Sequence, residues 1–306
     1  MSAAPHIFTL TGNLLAERTL LFDAWSPGQT QRARAETYQV GGKGINVSKM
    51  LNRLGAPNTA LCFTGTGGLG RACETWLREK KFTFQAFPTS TPTRAGLVVR
   101  DASRMNKETT FLGPDLAPDA EAVRACVDFL AAQPTGSVLA VCGSLPGWET
   151  PVFDGLRDLL HRWPERGPLI ADTYGAPLAW LVNESASFIR VNRREILTLF
   201  TPAQAKVSGS ELLQLARDRF RALRWALTDG GAPVWFMADH QDPESLAAPR
   251  VDEVSPTGSG DVMLACVLHA RFHRGLSWRD AVAWSLPYAA ANAAHPGVAE
   301  FPEPAV

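Results

Sequence analysis

Residues 257–267 read Thr257-Gly258-Ser259-Gly260-Asp261-Val262-Met263-Leu264-Ala265-Cys266-Val267, a turn of small residues running into an apolar helix. Glycines allow backbone angles that aim successive N–H groups inward, and a helix N-terminus adds partial positive charge. A nest of this kind suits the negative charge that develops on a transferring phosphoryl group. A carboxylate in the first turn, Asp261, stands within reach of an incoming hydroxyl and can accept its proton. Taken alone, the segment is equally a helix start that Asp261 merely stabilises.

Upstream of this turn, strand-like and helix-like segments alternate. Apolar, β-branched runs fall at 59–64, 137–142, 168–171, 188–191, 225–228 and 234–237. Helical patterns lie between them: Val47, Leu51 and Leu54 closed by Gly55; Val152, Leu156, Leu159 and Trp163; Leu212, Ala216 and Leu223. This alternation predicts an α/β fold with a mostly parallel sheet covered on both faces. Residues 8–38 and 92–112 break the rhythm, with strand-like runs at 95–100 and 108–112 joined by a hairpin turn at 101–104. They predict a small β-sheet lid on one main domain spanning 1–306.

The composition narrows the function. The 306 residues carry 30 Lys+Arg and 30 Asp+Glu, so no net basic field draws the chain to nucleic acid or an anionic membrane. The longest apolar stretch, 281–294, is interrupted by Ser285 and Pro287 and is too short to span a bilayer. Five scattered cysteines without a C-x-x-C pair, and an N-terminus without a secretory pattern, predict a reduced, cytoplasmic protein.

Three further segments carry chemistry. Gly41-Gly42-Lys43-Gly44-Ile45-Asn46-Val47 leads glycines and a lysine into a helix, where Lys43 can meet a phosphate and Asn46 can bind hydroxyls. Its spacing is not that of a P-loop, and a Gly-rich helix start with a solvated lysine is the plainer alternative. Arg190-Val191-Asn192-Arg193-Arg194-Glu195 places Asn192 and Glu195 three apart, as hard oxygen ligands for Mg²⁺ or as a plain capping box. Gly65-Thr66-Gly67-Gly68-Leu69-Gly70 is a literal G-x-G-x-x-G, yet residues 82–87 lack the carboxylate that a dinucleotide site requires.

In combination and in this order, these segments resemble the PfkB (ribokinase-like) carbohydrate kinases, with the sugar-phosphate branch most similar. The resemblance also rests on Gly113-Pro114-Asp115, Gly143-Ser144-Leu145-Pro146 and Thr228-Asp229-Gly230, and it runs from about residue 8 to about 298. It implies a three-layer α/β/α ribokinase-like domain with a β-lid, and transfer of the ATP γ-phosphoryl group, with Mg²⁺, to a sugar phosphate. Under it, Asp261 is the base, and the N–H groups of Gly258, Ser259 and Gly260 form the anion hole. Arg190, Asn192, Thr228 and Gly230 meet nucleotide, while Asn192 and Glu195 hold Mg²⁺ through water. Gly42, Lys43, Asn46, Arg94 and Ser144 meet the sugar phosphate, with Lys43 and Arg94 clamping the phosphate. A homodimer through the lid is also implied. Two departures stand out. The family's opening Leu-Asn-Pro-Ala-x-Asp is replaced by Leu10-Thr11-Gly12-Asn13-Leu14-Leu15, which lacks its carboxylate and leaves Glu17 or Asp23 to substitute. Asp229 puts an extra carboxylate beside the nucleotide. The alternatives are a kinase for an unphosphorylated sugar or nucleoside, or a non-catalytic sugar-phosphate binder.

Overall fold

The computed structural model describes residues 4–104, 107–202, 204–239 and 241–304. In chain order they form β1 (Ile7–Thr11), β2 (Leu15–Phe22), β3 (Ala35–Gly41), α1 (Lys43–Arg53), β4 (Asn58–Gly65), α2 (Gly68–Glu79), β5 (Phe84–Thr89), β6 (Arg94–Asp101) and β7 (Lys107–Leu112). There follow α3 (Ala120–Ala131), β8 (Val138–Gly143), α4 (Asp154–Arg162), β9 (Leu169–Thr173), α5 (Ala176–Leu181), β10 (Phe188–Asn192), α6 (Arg193–Leu197) and α7 (Gly209–Arg219). The last elements are β11 (Arg224–Thr228), β12 (Val234–Ala238), β13 (Glu244–Leu246), α8 (Ser259–Phe272) and α9 (Trp278–Ala293).

The main sheet has the order β13-β12-β11-β10-β9-β8-β1-β4-β5. It is parallel from β5 to β11 and antiparallel at the β12–β13 edge. Alternation along each strand feeds two cores. Leu139 and Val141 of β8 face the layer that holds α3, α4 and α7. Val138, Ala140 and Cys142 face α1, α8 and α9. Burial on both faces is why β8 reads as one unbroken apolar run. Helix α8 packs against both α1 and α9, which accounts for its apolar sequence. All five cysteines are buried and free. No helix among the described residues is long and apolar enough to cross a membrane.

The lid is a second sheet of order β3-β2-β6-β7, in which β2 and β6 run parallel and the outer pairs antiparallel. Residues 8–11 do not belong to it, because they lie in β1 at the centre of the main sheet, and the lid strand β3 runs on to Gly41. Leu223 does not continue the helix read through Leu212 and Ala216. Phe220 leaves α7 with an extended backbone, and Leu223 is exposed just before β11. The 65–70 glycine turn is filled by its own chain. A Cβ on Gly70 would lie 1.7 Å from the Gly65 carbonyl oxygen, and one on Gly65 would lie 2.5 Å from the Thr93 nitrogen. These glycines serve close backbone packing rather than a dinucleotide.

Candidate active site

In open parallel sheets, ligands bind beyond the carboxyl ends of the strands, where the strand order reverses. Here that point lies between β1 and β8. Asn13 follows β1, Ser144 follows β8, Asp172 lies near the end of β9, and Asn192 and Thr228 end β10 and β11. Helices α1 and α8 start at the glycines Gly42 and Gly258, and neither start carries a side-chain cap. Helices α3, α6, α7 and α9 are capped by Asp119, Asn192, Ser208 and Ser277. The uncapped starts of α1 and α8 keep first-turn N–H groups available to an anion. Gly258 has φ +77°, and a Cβ there would meet Val298 at 2.6 Å, so the turn requires glycine on both counts.

Asp261 is 5% exposed, and its Oδ2 accepts from Asn46 Nδ2 at 2.7 Å. Burial, reinforced by the neighbouring Asp172 carboxylate, pushes its carboxyl up to about 7. Lys43 Nζ donates to Asp172 Oδ1 at 2.6 Å and to Glu195 Oε1 at 2.9 Å. Burial alone would lower the Lys43 pKa, but the carboxylates of Asp172, Glu195 and Asp261 together outweigh it and keep the ammonium charged. Arg190 lies over Gly260, where a Cβ would meet its guanidinium at 2.2 Å. Its Nη1 is 3.4 Å from both Asp172 oxygens, its Nη2 donates to Thr228 Oγ1 at 2.8 Å, and its buried Nε has no partner. Desolvation would raise the Asp172 carboxyl, yet Lys43 and Arg190 hold it below its usual range. Asp172 is therefore the fully buried counter-charge of the centre.

The Asn192–Glu195 capping box forms in full. Asn192 Oδ1 accepts from the Glu195 N–H and Glu195 Oε2 from the Asn192 N–H, each at 2.9 Å. No group of three or more His, Cys, Asp or Glu among the described residues is arranged to hold a metal directly. The donors are hard oxygens with lone pairs left over, which fits Mg²⁺ held by nucleotide and touched through water. Beside them opens a cavity of about 550 Å³, lined by Arg190, Asn192, Thr228, Gly230, Ser259 and Gly260 among others. Its far wall is apolar, with Val234, Met263, Leu286 and Ala290. The exposed Asp229 approaches Arg193 Nε, at 3.9 Å.

Past the ends of β1 and β8, Arg94 Nη1 and Asn13 Nδ2 both donate to Asp115 Oδ1, at 2.8 and 2.7 Å, and Asn13 also reaches Ser144 Oγ at 3.1 Å. Lys43 and Arg94 are thus claimed by different carboxylates, and no clamp is assembled between them. The Lys43 stem still borders this side, since a Cβ on Gly143 would lie 3.6 Å from Lys43 Cβ. Leu15 is buried, whereas Glu17 shares its strand face with Thr19 and Leu21, which line a cavity beneath the lid. Gln39 donates to Glu17, and burial raises the Glu17 carboxyl. Asp23 is exposed and paired with Arg34. A half-buried carboxylate thus stands two residues after Leu15, on the same strand face.

Asp172, Asn13 and Asp115 enter the site without having been singled out for it. Asp172 lies at the end of a strand in the α/β alternation, a place where such folds put functional groups, but no local pattern marks it.

Comparison with known proteins gives the family and the fold. The signature of "pfkB family carbohydrate kinase" matches residues 13–305. The chain is 28% identical over 270 residues to an ATP-dependent 6-phosphofructokinase isozyme 2 of Mycobacterium tuberculosis, covering 86% of this chain and 77% of that one. It is 28% identical over 264 residues to the D-tagatose-1-phosphate kinase of Bacillus licheniformis, covering 85% and 83%. Among solved structures, phosphofructokinase-2 from Escherichia coli in complex with fructose-6-phosphate superimposes with a TM-score of 0.82 at 20% identity, covering 95% and 94%.

Proposed function

This chain belongs to the pfkB family of carbohydrate kinases, and from that premise we propose that it transfers the γ-phosphoryl group of ATP to a hydroxyl of a ketohexose monophosphate, giving a bisphosphate. One observation carries the reading: a buried carboxylate, Asp261, stands in the first turn of an uncapped helix whose Ser259 and Gly260 line a nucleotide-sized cavity, and it accepts from Asn46 at the start of α1. Ionised Asp261 takes the proton of the acceptor hydroxyl as its oxygen bonds to the γ-phosphorus and the bond to the ADP oxygen breaks. The N–H groups of the Gly258–Gly260 turn and the Arg190 guanidinium face the charge on the transferring group. Arg190, Asn192, Thr228 and Gly230 border the triphosphate. Asn192 and Glu195 would hold Mg²⁺ through water, and the bound ion would offset charge on the phosphates.

Gly42, Lys43, Asn46, Arg94 and Ser144 receive the sugar phosphate, with Asn13 beside them and Glu17 available to the hydroxyls. Asp115 already neutralises Arg94, and this favours the runner-up, a kinase for an unphosphorylated sugar or nucleoside. A coupled ADP-release assay over fructose and tagatose monophosphates, free ketohexoses and nucleosides separates them. We expect kcat/KM for a monophosphate at least about tenfold above that for its free sugar, the scale of one charge-assisted contact. Equal or better turnover of a free sugar or nucleoside promotes the runner-up. No turnover of any acceptor leaves the non-catalytic binder.

The buried, unpaired cysteines support a reducing, cytoplasmic setting. The exposed Phe111 and Leu112 on the edge strand β7 support a homodimer through the lid, which a Phe111→Lys variant, run against the parent by size-exclusion chromatography, tests.

A further inference from the structure

The lid touches the anion-binding turn at a place that the chemistry above does not use. Arg100 and Glu108 stand opposite each other in the β6–β7 pair. Glu108 Oε1 takes Arg100 Nε at 2.8 Å and Nη2 at 2.6 Å. The other carboxylate oxygen, Oε2, accepts from the Thr257 hydroxyl at 3.2 Å. Arg100 Nη2 also donates to the Pro296 carbonyl at 2.5 Å. Thr257 immediately precedes Gly258, and Pro296 is two residues from Val298, which packs against Gly258. One ion pair on the lid therefore holds both segments that shape the turn. From the body side, Asn292 Nδ2 donates to the Thr257 carbonyl and to Ser259 Oγ. Next to the ion pair is a cavity of about 300 Å³, lined by Thr19, Leu21, Thr37, Val254 and Pro296 among others, so the lid does not pack solidly onto the body here.

The strand itself links the two ends of the lid. Arg94 and Arg100 are six residues apart on β6, hence on one face and roughly 20 Å from each other. Arg94 stands at the acceptor cluster and Arg100 at the turn. A strand paired on both sides is stiff, so a displacement imposed at one end would be carried to the other.

We infer that Arg100 and Glu108 are positioning residues that couple lid closure over the acceptor to the setting of the Gly258–Gly260 turn. Neither touches the reacting atoms. The inference rests on the phosphotransfer reading above.

The test uses the full chain with ATP, Mg²⁺ and the sugar monophosphate that the parent turns over fastest. Glu108→Gln and Thr257→Val are each expected to lower kcat about tenfold, within the usual range of coupling between sites, with both KM values nearly unchanged. Thr257→Ser, which keeps the hydroxyl, restores kcat. The double variant Glu108→Gln/Thr257→Val is no slower than the worse single, because both remove one contact. Thr257 lies outside the lid, so its variants keep the test decisive where a lid variant folds poorly. Unchanged kcat in both single variants, or additive losses in the double, overturn the coupling and leave the kinase reading standing. A parent chain that turns over no sugar phosphate overturns both.

Discussion

The role proposed for Asp261 opposes its surroundings. A base must be ionised, but burial and the nearby Asp172 resist the ionisation of this carboxyl. Asp261→Asn should leave substrate KM values in place and cut kcat by at least about 10²-fold, measured by ADP release. In the parent, kcat/KM should rise with pH through about 7, as Asp261 loses its proton. The sign for stability is the reverse. The folded pKa is raised, so the native state keeps a proton that the unfolded chain has lost above about 4, and stability falls as pH rises toward about 7. Asp261→Asn should therefore melt at a higher temperature than the parent at pH 8, with the gain vanishing near pH 4. On the acceptor side, Arg94→Ala should raise KM for the sugar phosphate at least about tenfold and leave that for ATP unchanged. Asp261, Lys43, Asn192 and Glu195 were legible because each sits in a short glycine-rich or capping pattern. Asp172 was not, because its meaning comes from Lys43, 129 residues away, and Asn13 acquires its role only beside Ser144, 131 residues away. Such pairs exist only once the sheet order is known.

At the scale of single elements, the capped start of α3 contrasts with the open starts of α1 and α8 that border the site. Asp119 caps α3 through the Ala122 N–H and also accepts from the Ser90 N–H and the Ser90 and Thr89 hydroxyls, which tie α3 to the end of β5. Those donors, led by the Ala122 and Ser90 N–H groups, hold its carboxyl down to about 2. Asp119→Ala should cost about 1–2 kcal/mol near neutral pH, read by chemical denaturation. Because the folded pKa is lowered, the loss should be full above about 4 and fade as pH falls through about 2. The six strand-like runs from 59 to 237 were legible because strands buried on both faces carry continuous apolar residues. The three-residue β13 was not, being too short and too polar to stand out. β1 was absorbed into the lid reading, since β1 and β2 are separated by only three residues and nothing local says that the chain changes sheets there.

Across the whole molecule, the site is assembled from segments spread from Asn13 to Asp261, and the two cores on either side of the main sheet hold them in register. The smaller sheet rests on this assembly through a buried cluster at β2, β3 and α2 and through polar contacts from β6 and β7 to the segments around Thr257 and Pro296. The burial of every cysteine has a separate consequence: the chain carries its own chemical clock for opening. Cys126 belongs to the core beneath α3 and α4, Cys142 and Cys266 to the core beneath α1 and α8, and Cys62 and Cys73 to the cluster where β2 and β3 pack against α1 and α2. A disulfide exchange reagent that yields a coloured product should find almost no reactive thiol in the native protein and five in denaturant. Under native conditions the thiols should react in stages, each reporting the opening of its own cluster. If sugar phosphate and nucleotide draw the lid onto the body, they should slow Cys62 and Cys73 more than Cys126.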